Sequence, residues 1–165
     1  MDAGKSETTA ERKSDRELVV TRSFNAPARL VFEAWTQPEL FQRWWVPKSS
    51  GMSMLSCEMD VRTGGTYRLV FSHPAFAEPM AFFGRYLEVI PNARIVWTND
   101  EGGEGGAVTT VTFEEKGGKT LLVMHELYPS KEALDAAGTG AAEGMAELFE
   151  QLDELLATLG RGTSN

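Results

Sequence analysis

One cysteine, Cys57, stands in the whole chain of 165 residues, so no disulfide can close within it. A lone thiol suits a reducing compartment, and a cytoplasmic location is the expectation. Histidine is nearly as scarce: His73 and His125 lie far apart, and none of the paired spacings of zinc sites is present. No metal and no other cofactor is expected. No apolar run approaches the ~18 residues that a membrane-spanning helix needs. The opening MDAGKSETTAERKSDRE mixes both charges and has no apolar stretch of the signal-peptide kind. Positive charge is also short, with 16 Lys and Arg against 24 Asp and Glu, a formal charge of −8. That balance argues against a nucleic-acid partner, whose phosphates call for a basic face, and against anionic membrane surfaces. No G-x-S-x-G elbow occurs, so a Ser-His-Asp triad has no support. The run Gly102–Gly106 lacks the Lys and Ser/Thr of a phosphate loop and reads as a hairpin loop.

What is present suffices for one domain. Hydrophobic residues make up 42% and charged residues 24% of the chain, ordinary values for a globular core with room for one internal cavity. Residues 1–16 read as a solvated, disordered tail, 17–160 as the domain and 161–165 as a short second tail.

The folded part begins near Glu17, where Leu18, Val19, Val20 and Phe24 make a short strand. Pro27 then suits the first position of a helix, whose N–H has no helical acceptor to lose, and Leu30, Val31, Ala34 and Trp35 supply one apolar face. Thr36-Gln37-Pro38-Glu39 repeats the start signal for a second short helix carrying Leu40, Phe41, Trp44 and Trp45, and Pro47 ends it. From Met52 to Leu127 the period changes to two. Leu55, Cys57 and Met59 share one face, as do Tyr67, Leu69 and Phe71; Met80 to Ile90 is a longer strand with Gly84 inside it. Turns at Gly64-Gly65, Pro91-Asn92 and Gly117-Gly118 are too close for crossover helices, so the sheet is antiparallel. Leu121, Val123 and His125 are read as the inward face of the last strand. Met145, Leu148, Phe149, Leu152, Leu155, Leu156 and Leu159 then follow helical spacing, opposite an acidic stripe of Glu143, Glu147, Glu150 and Glu154. Such a helix needs its apolar face buried, which places it across the sheet. The fold class is α+β.

The stretch Asn25-Ala26-Pro27, Val31-Phe32, Ala34-Trp35-Thr36, Pro38-Glu39 and Trp44-Trp45 resembles the opening of START-like (SRPBCC) proteins, in the branch homologous to the activator of the heat-shock-protein-90 ATPase. Asp60-Val61-Arg62 with Gly64-Gly65 and Tyr67-Arg68 resembles that branch too. So do Gly84, Tyr86, Glu88-Val89, Pro91 and Arg94 to Thr98, and His125 to Pro129 ahead of the last helix. The resemblance covers about residues 17–159. It implies a helix-grip fold: a curved antiparallel sheet of about seven strands, one before two short helices and six after them, wrapped around a long C-terminal helix with a cavity between. Relatives of this kind include chaperone cofactors, polyketide cyclases and aromatases, and antibiotic-sequestering proteins. Where the branch often has Gly-Trp near the start of the last helix, this chain has Gly144-Met145.

That resemblance turns the aromatic residues into a candidate ligand site. Trp44, Trp45, Tyr67, Phe71, Phe82, Tyr86, Trp97 and Phe149 are many large rings for one small core, and rings with polar tips can both line a cavity and orient its contents. Cys57, His125 and Met145 complete the candidate lining, Cys57 as an inert thiol among apolar neighbours. Gly144, costly inside a helix, is expected to mark a close approach to the sheet or to a ligand. Asp60, Arg62 and Arg68 beside the Gly64-Gly65 turn read as a structural corner. The expected function is to bind a small hydrophobic or aromatic molecule. The alternatives are a cyclase-, aromatase- or hydrolase-type enzyme using His125 and Tyr67 as acid or base, and a chaperone-ATPase cofactor acting through its surface. No acid–base pair with a nucleophile is evident, so catalytic residues are unassigned, and a homodimer and a chaperone contact stay open as partners.

Overall fold

Alternation of apolar residues on short strands fixes a single sheet, and one long amphipathic helix has to cover it. The computed structural model describes residues 8–46, 51–75, 77–99 and 106–163, with backbone alone for 136–144 and 160–163. Among these the order is β1 (Thr9–Ser14), β2 (Glu17–Phe24), α1 (Ala28–Thr36), α2 (Pro38–Trp44), β3 (Ser53–Met59), β4 (Thr66–Ser72), β5 (Met80–Ile90), β6 (Arg94–Thr98), β7 (Val108–Lys116), β8 (Lys119–Leu127) and α3 (Lys131–Thr163). The sheet has eight strands in the order β1-β2-β8-β7-β6-β5-β4-β3, and every pairing is antiparallel. The α+β class and the long C-terminal helix agree with the sequence, and a helix-grip arrangement is consistent with both.

The strand count differs by one. Thr9–Ser14, inside the stretch expected to be a disordered tail, is β1, paired along the free edge of β2 from Thr9↔Thr21 to Ser14↔Glu17. All six of its residues are exposed. It therefore holds by backbone hydrogen bonds and leaves no apolar alternation to read, while Glu11, Arg12 and Lys13 guard the edge. Arg12 also reaches Asp135 at the start of α3, 2.8 Å away.

Each helix end has a local cause. Pro27 is the N-cap of α1, one position before the expected one, and the Ala28 N–H donates to Glu115 Oε1 at 2.9 Å. Pro38 opens α2 at its first turn. The carbonyls of Trp44 and Val46 at the far end of α2 accept from Gln151 Nε2 of α3, each at 2.9 Å, which satisfies groups that a helix terminus leaves free. Pro47 lies outside the described residues, as does most of the Gly102–Gly106 run. The last helix starts well before the periodic stretch, because Ser130 Oγ accepts from the Ala133 N–H at 3.1 Å as an N-cap does, and Leu134 is fully buried.

The core sits between the helices and the concave side of the sheet. Leu18, Val20 and Phe24 of β2, Val111 and Phe113 of β7, and Leu122 and Met124 of β8 face it, as do Met145, Leu148, Phe149, Leu152, Leu155 and Leu156 of α3. The helix packs on β2, α1 and α2. Phe149 meets Phe24 edge-on with centroids 5.6 Å apart, and Arg22, buried on β2, reaches Asp153 at 3.3 Å. Trp35 is the hub, its ring within 4.8 to 6.4 Å of Phe41, Trp44, Trp45, Trp97, Phe113 and Phe149.

Two strand faces depart from the sequence reading. On β8 the buried residues are Thr120, Leu122 and Met124, so His125 belongs to the opposite face with exposed Leu121. The run Leu121 to Met124 is apolar on both faces, and alternation alone cannot choose between them. On β3 the register shifts between Met54 and Ser56, which turns Leu55 outward at 57% exposure while Met54, Cys57 and Met59 pack on the core.

Candidate functional site

Close packing gives way beneath the helices. Between α1, α2, α3 and strands β3 to β6 lies a cavity of about 370 Å³, at the lower end of the range for small-molecule sites. Tyr67, Leu69 and Phe71 of β4, Phe82 and Tyr86 of β5 and Ile95 and Trp97 of β6 form its floor. Trp35 of α1, Phe41 of α2, Trp45 at the C-cap of α2, and Leu148 of α3 form the helical wall, with Met52, Met59 and Asn99 at its margins. None of these side chains carries a charge at neutral pH.

The sheet beneath the cavity carries a local irregularity. A Cβ on Gly84 would collide with the Thr98 carbonyl oxygen, so glycine lets β5 and β6 meet closely just before the bulge between Tyr86 and Glu88. The same carbonyl accepts from Tyr67 Oη at 2.7 Å, and Thr98 Oγ1 accepts from the Arg85 N–H at 2.9 Å. The Tyr67 hydroxyl is thus engaged with backbone. Burial holds the phenol of Tyr86 well above its ordinary range, so it stays protonated.

The Gly64-Gly65 turn is a structural corner. Gly64 N–H donates to Tyr86 O at 2.8 Å and Tyr86 N–H to Gly65 O at 2.9 Å, which pins the turn to β5. Arg62 pairs with Asp60 at 2.8 Å in the open, both side chains more than half exposed.

Of the candidate lining, Trp45, Tyr67, Phe71, Phe82, Tyr86 and Trp97 do surround the cavity. Trp44 does not: it is fully buried, donating from Nε1 to Ala34 O at 2.9 Å. Phe149 and Met145 are core as well, and Leu148, between them in the same stripe, is the α3 residue at the cavity. Gly144 lies outside the residues whose side-chain surroundings are described. Cys57, a half-buried residue of β3, is not in the described lining; its Sγ lies 3.4 Å from Met59 Sδ, and burial pushes its thiol up to about 11. An unreactive thiol follows.

His125 leaves the site altogether. On the outer face its Nε2 lies 2.9 Å from Glu17 Oε2, a third of each side chain being exposed. Hydrogen bonds from His125 and Ser14 lower the Glu17 carboxyl. The acid–base role considered for His125 has no geometric basis.

Its neighbour Glu126, on the concave face, is the polar residue that sequence reasoning passed over. Burial raises its carboxyl, against hydrogen bonds from Tyr128 and Thr109 that lower it. Tyr128 Oη donates to Oε1 at 2.8 Å, and Thr109 Oγ1 lies 3.3 Å from Oε2. Asn99 Nδ2 lies 3.2 Å from Thr109 Oγ1 and 2.9 Å from Ala107 O. A polar chain therefore runs from the cavity margin at Asn99 to Glu126 and Tyr128. Among the described residues no group of three or more His, Cys, Asp or Glu could hold a metal ion, and no helix is long and apolar enough to cross a membrane.

Comparison with known proteins places this arrangement. The family model described as "Activator of Hsp90 ATPase homolog 1-like protein" matches residues 25–157. A Rhodobacter sphaeroides protein of known crystal structure is 27% identical with a TM-score of 0.83, over 93% of this chain and 99% of that one. A Staphylococcus epidermidis protein solved by NMR is 28% identical with a TM-score of 0.77, over 91% and 94%. An AHSA1-like protein from Aeromonas hydrophila, 15% identical with a TM-score of 0.65 over 86% and 94%, shares the fold. No curated protein matches the chain.

Proposed function

The chain belongs to the family of Activator of Hsp90 ATPase homolog 1-like proteins, and within it we propose that this member is a binding module holding a small apolar, aromatic molecule in the cavity between sheet and helices. The observation that carries this reading is the ring-walled space of about 370 Å³ between sheet and helices, with no charged side chain in its described lining. Its walls are apolar surface that a flat aromatic molecule would cover, at about 25 cal/mol per Å² removed from water.

The enzyme alternative loses its named groups: His125 lies on the outer face and Tyr67 is bonded to backbone. A chaperone contact, which the family description suggests, would need a surface, and what supports the present reading is an interior. The test is a melting experiment. 2-Methylnaphthalene at 100 times its dissociation constant should stabilise the fold by about 2.7 kcal/mol, because it binds only the folded state. A melting temperature unmoved by a panel of two- and three-ring aromatics would reject the reading.

A further inference from the structure

The polar chain at the cavity margin has a direction, and the direction sets what a ligand must carry. A carboxylate only accepts hydrogen bonds. Glu126 Oε2 therefore takes the Thr109 hydroxyl proton, and Thr109 Oγ1, having spent its one proton, can only accept from Asn99. That requires the Asn99 amide nitrogen to face β7, where its second proton goes to Ala107 O. Both N–H bonds are used, so the amide cannot flip without breaking them. Tyr128, donating to the other carboxylate oxygen, and the full burial of Thr109 hold the far end of the chain in place.

The amide oxygen is the polar atom that these bonds leave unused on a residue that lines the cavity, and no described residue donates to it. We propose that Asn99 Oδ1 is the specificity element of the cavity, an oriented acceptor that selects neutral aromatic ligands bearing a hydroxyl or N–H donor over bare hydrocarbons and ethers. The absence of any cationic side chain in the described lining disfavours a carboxylate or phosphate ligand, which would face this acceptor unpaired.

This inference rests on the binding-module reading, and calorimetric titration separates the two with 2-naphthol and 2-methoxynaphthalene. Both share the ring system and an oxygen able to accept, but only the naphthol has a donor. The native protein should bind 2-naphthol about 3- to 10-fold tighter than the methyl ether, the worth of one buried hydrogen bond. Asn99→Leu should abolish or reverse that ratio. Thr109→Val leaves the cavity wall untouched but cuts the chain that orients the amide, and should bring the ratio to within about 2-fold. The ratio, unlike an affinity, does not move with a general loss of stability, and the comparison in the native protein stands even where a variant fails to fold. Equal binding of the two probes, or a preference that survives Asn99→Leu, overturns the role of Asn99 and leaves the binding module intact. Failure of both probes to bind overturns the module itself.

Discussion

Gly84→Ala sets a local propensity against a tertiary contact. In an unobstructed strand this change should be mildly stabilising, by about 0.5–1 kcal/mol, because glycine loses more backbone entropy on folding. Here the new Cβ would collide with the Thr98 carbonyl oxygen and lie 2.9 Å from the Thr98 carbonyl carbon and 3.0 Å from its Oγ1. The obstacle is backbone in a paired strand, so the strands themselves must part. Overpacking of that kind costs about 1–3 kcal/mol. The displaced groups also accept from Tyr67 Oη and the Arg85 N–H, and weakening one such buried bond adds about 1–3 kcal/mol. Less the entropic gain, the net loss is about 1–5 kcal/mol, a large part of the roughly 5–15 kcal/mol that holds a typical domain. Urea denaturation monitored by far-UV circular dichroism measures it. Tyr67→Phe should cost less when combined with Gly84→Ala than in the native protein, since the added methyl has already disturbed the same acceptor. A neutral or stabilised Gly84→Ala would refute the close approach of β5 and β6 at Thr98.

Other outcomes follow from the electrostatics. With its thiol near 11 rather than the ordinary 9.0, Cys57 should be alkylated by iodoacetamide at pH 8 about 100-fold more slowly than a free thiol; a rate within threefold of free cysteine would place it in solvent. Burial raises the Glu126 carboxyl in the folded state, so ionising it opposes folding: the penalty is full above the folded pKa and vanishes below the ordinary value of 4.5. The stability of the native protein minus that of Glu126→Gln should accordingly grow as pH falls from 7 toward 4.5, and a difference that shrinks on acidification would contradict the burial of that carboxyl. His125→Asn, on the outer face, should leave ligand affinity unchanged within about twofold and barely move the melting temperature, because its pair with Glu17 is open to solvent. A tenfold loss of affinity would return His125 to the site.

The sequence was most informative where one face of an element is buried and the other is wet. β4 reads correctly because Tyr67, Leu69 and Phe71 alternate with Thr66, Arg68 and Ser72, and α3 because its leucines repeat at helical spacing opposite glutamates. β8 could not be read in the same way: Leu121, Leu122, Val123 and Met124 are apolar on both faces, and the choice between His125 and Glu126 rests on pairing with β2 and β7. β1 was illegible for the opposite reason, since it buries no side chain. In the cavity, six rings were predictable as large residues on inward strand positions or at the end of α2. Leu148 was not separable from Met145 and Phe149, because one helical stripe both packs the core and borders the void. Asn99 carried no signal at all. Its importance comes from the register that sets Thr109 opposite Glu126, a contact between strands that local pattern does not encode.

Leu148→Phe probes the cavity most directly, because the larger side chain has room only if the space beside Leu148 is real. Titration of 2-naphthol by calorimetry into the native protein and this variant compares them on one scale. Saturable one-to-one binding to the native chain, with a negative heat-capacity change, is the expected result. Affinity should be at least ~10-fold weaker in Leu148→Phe, with a melting temperature equal to or above the native one. Undiminished affinity in the variant, or a loss of stability of about 1–3 kcal/mol as for a side chain forced into packed core, would contradict it.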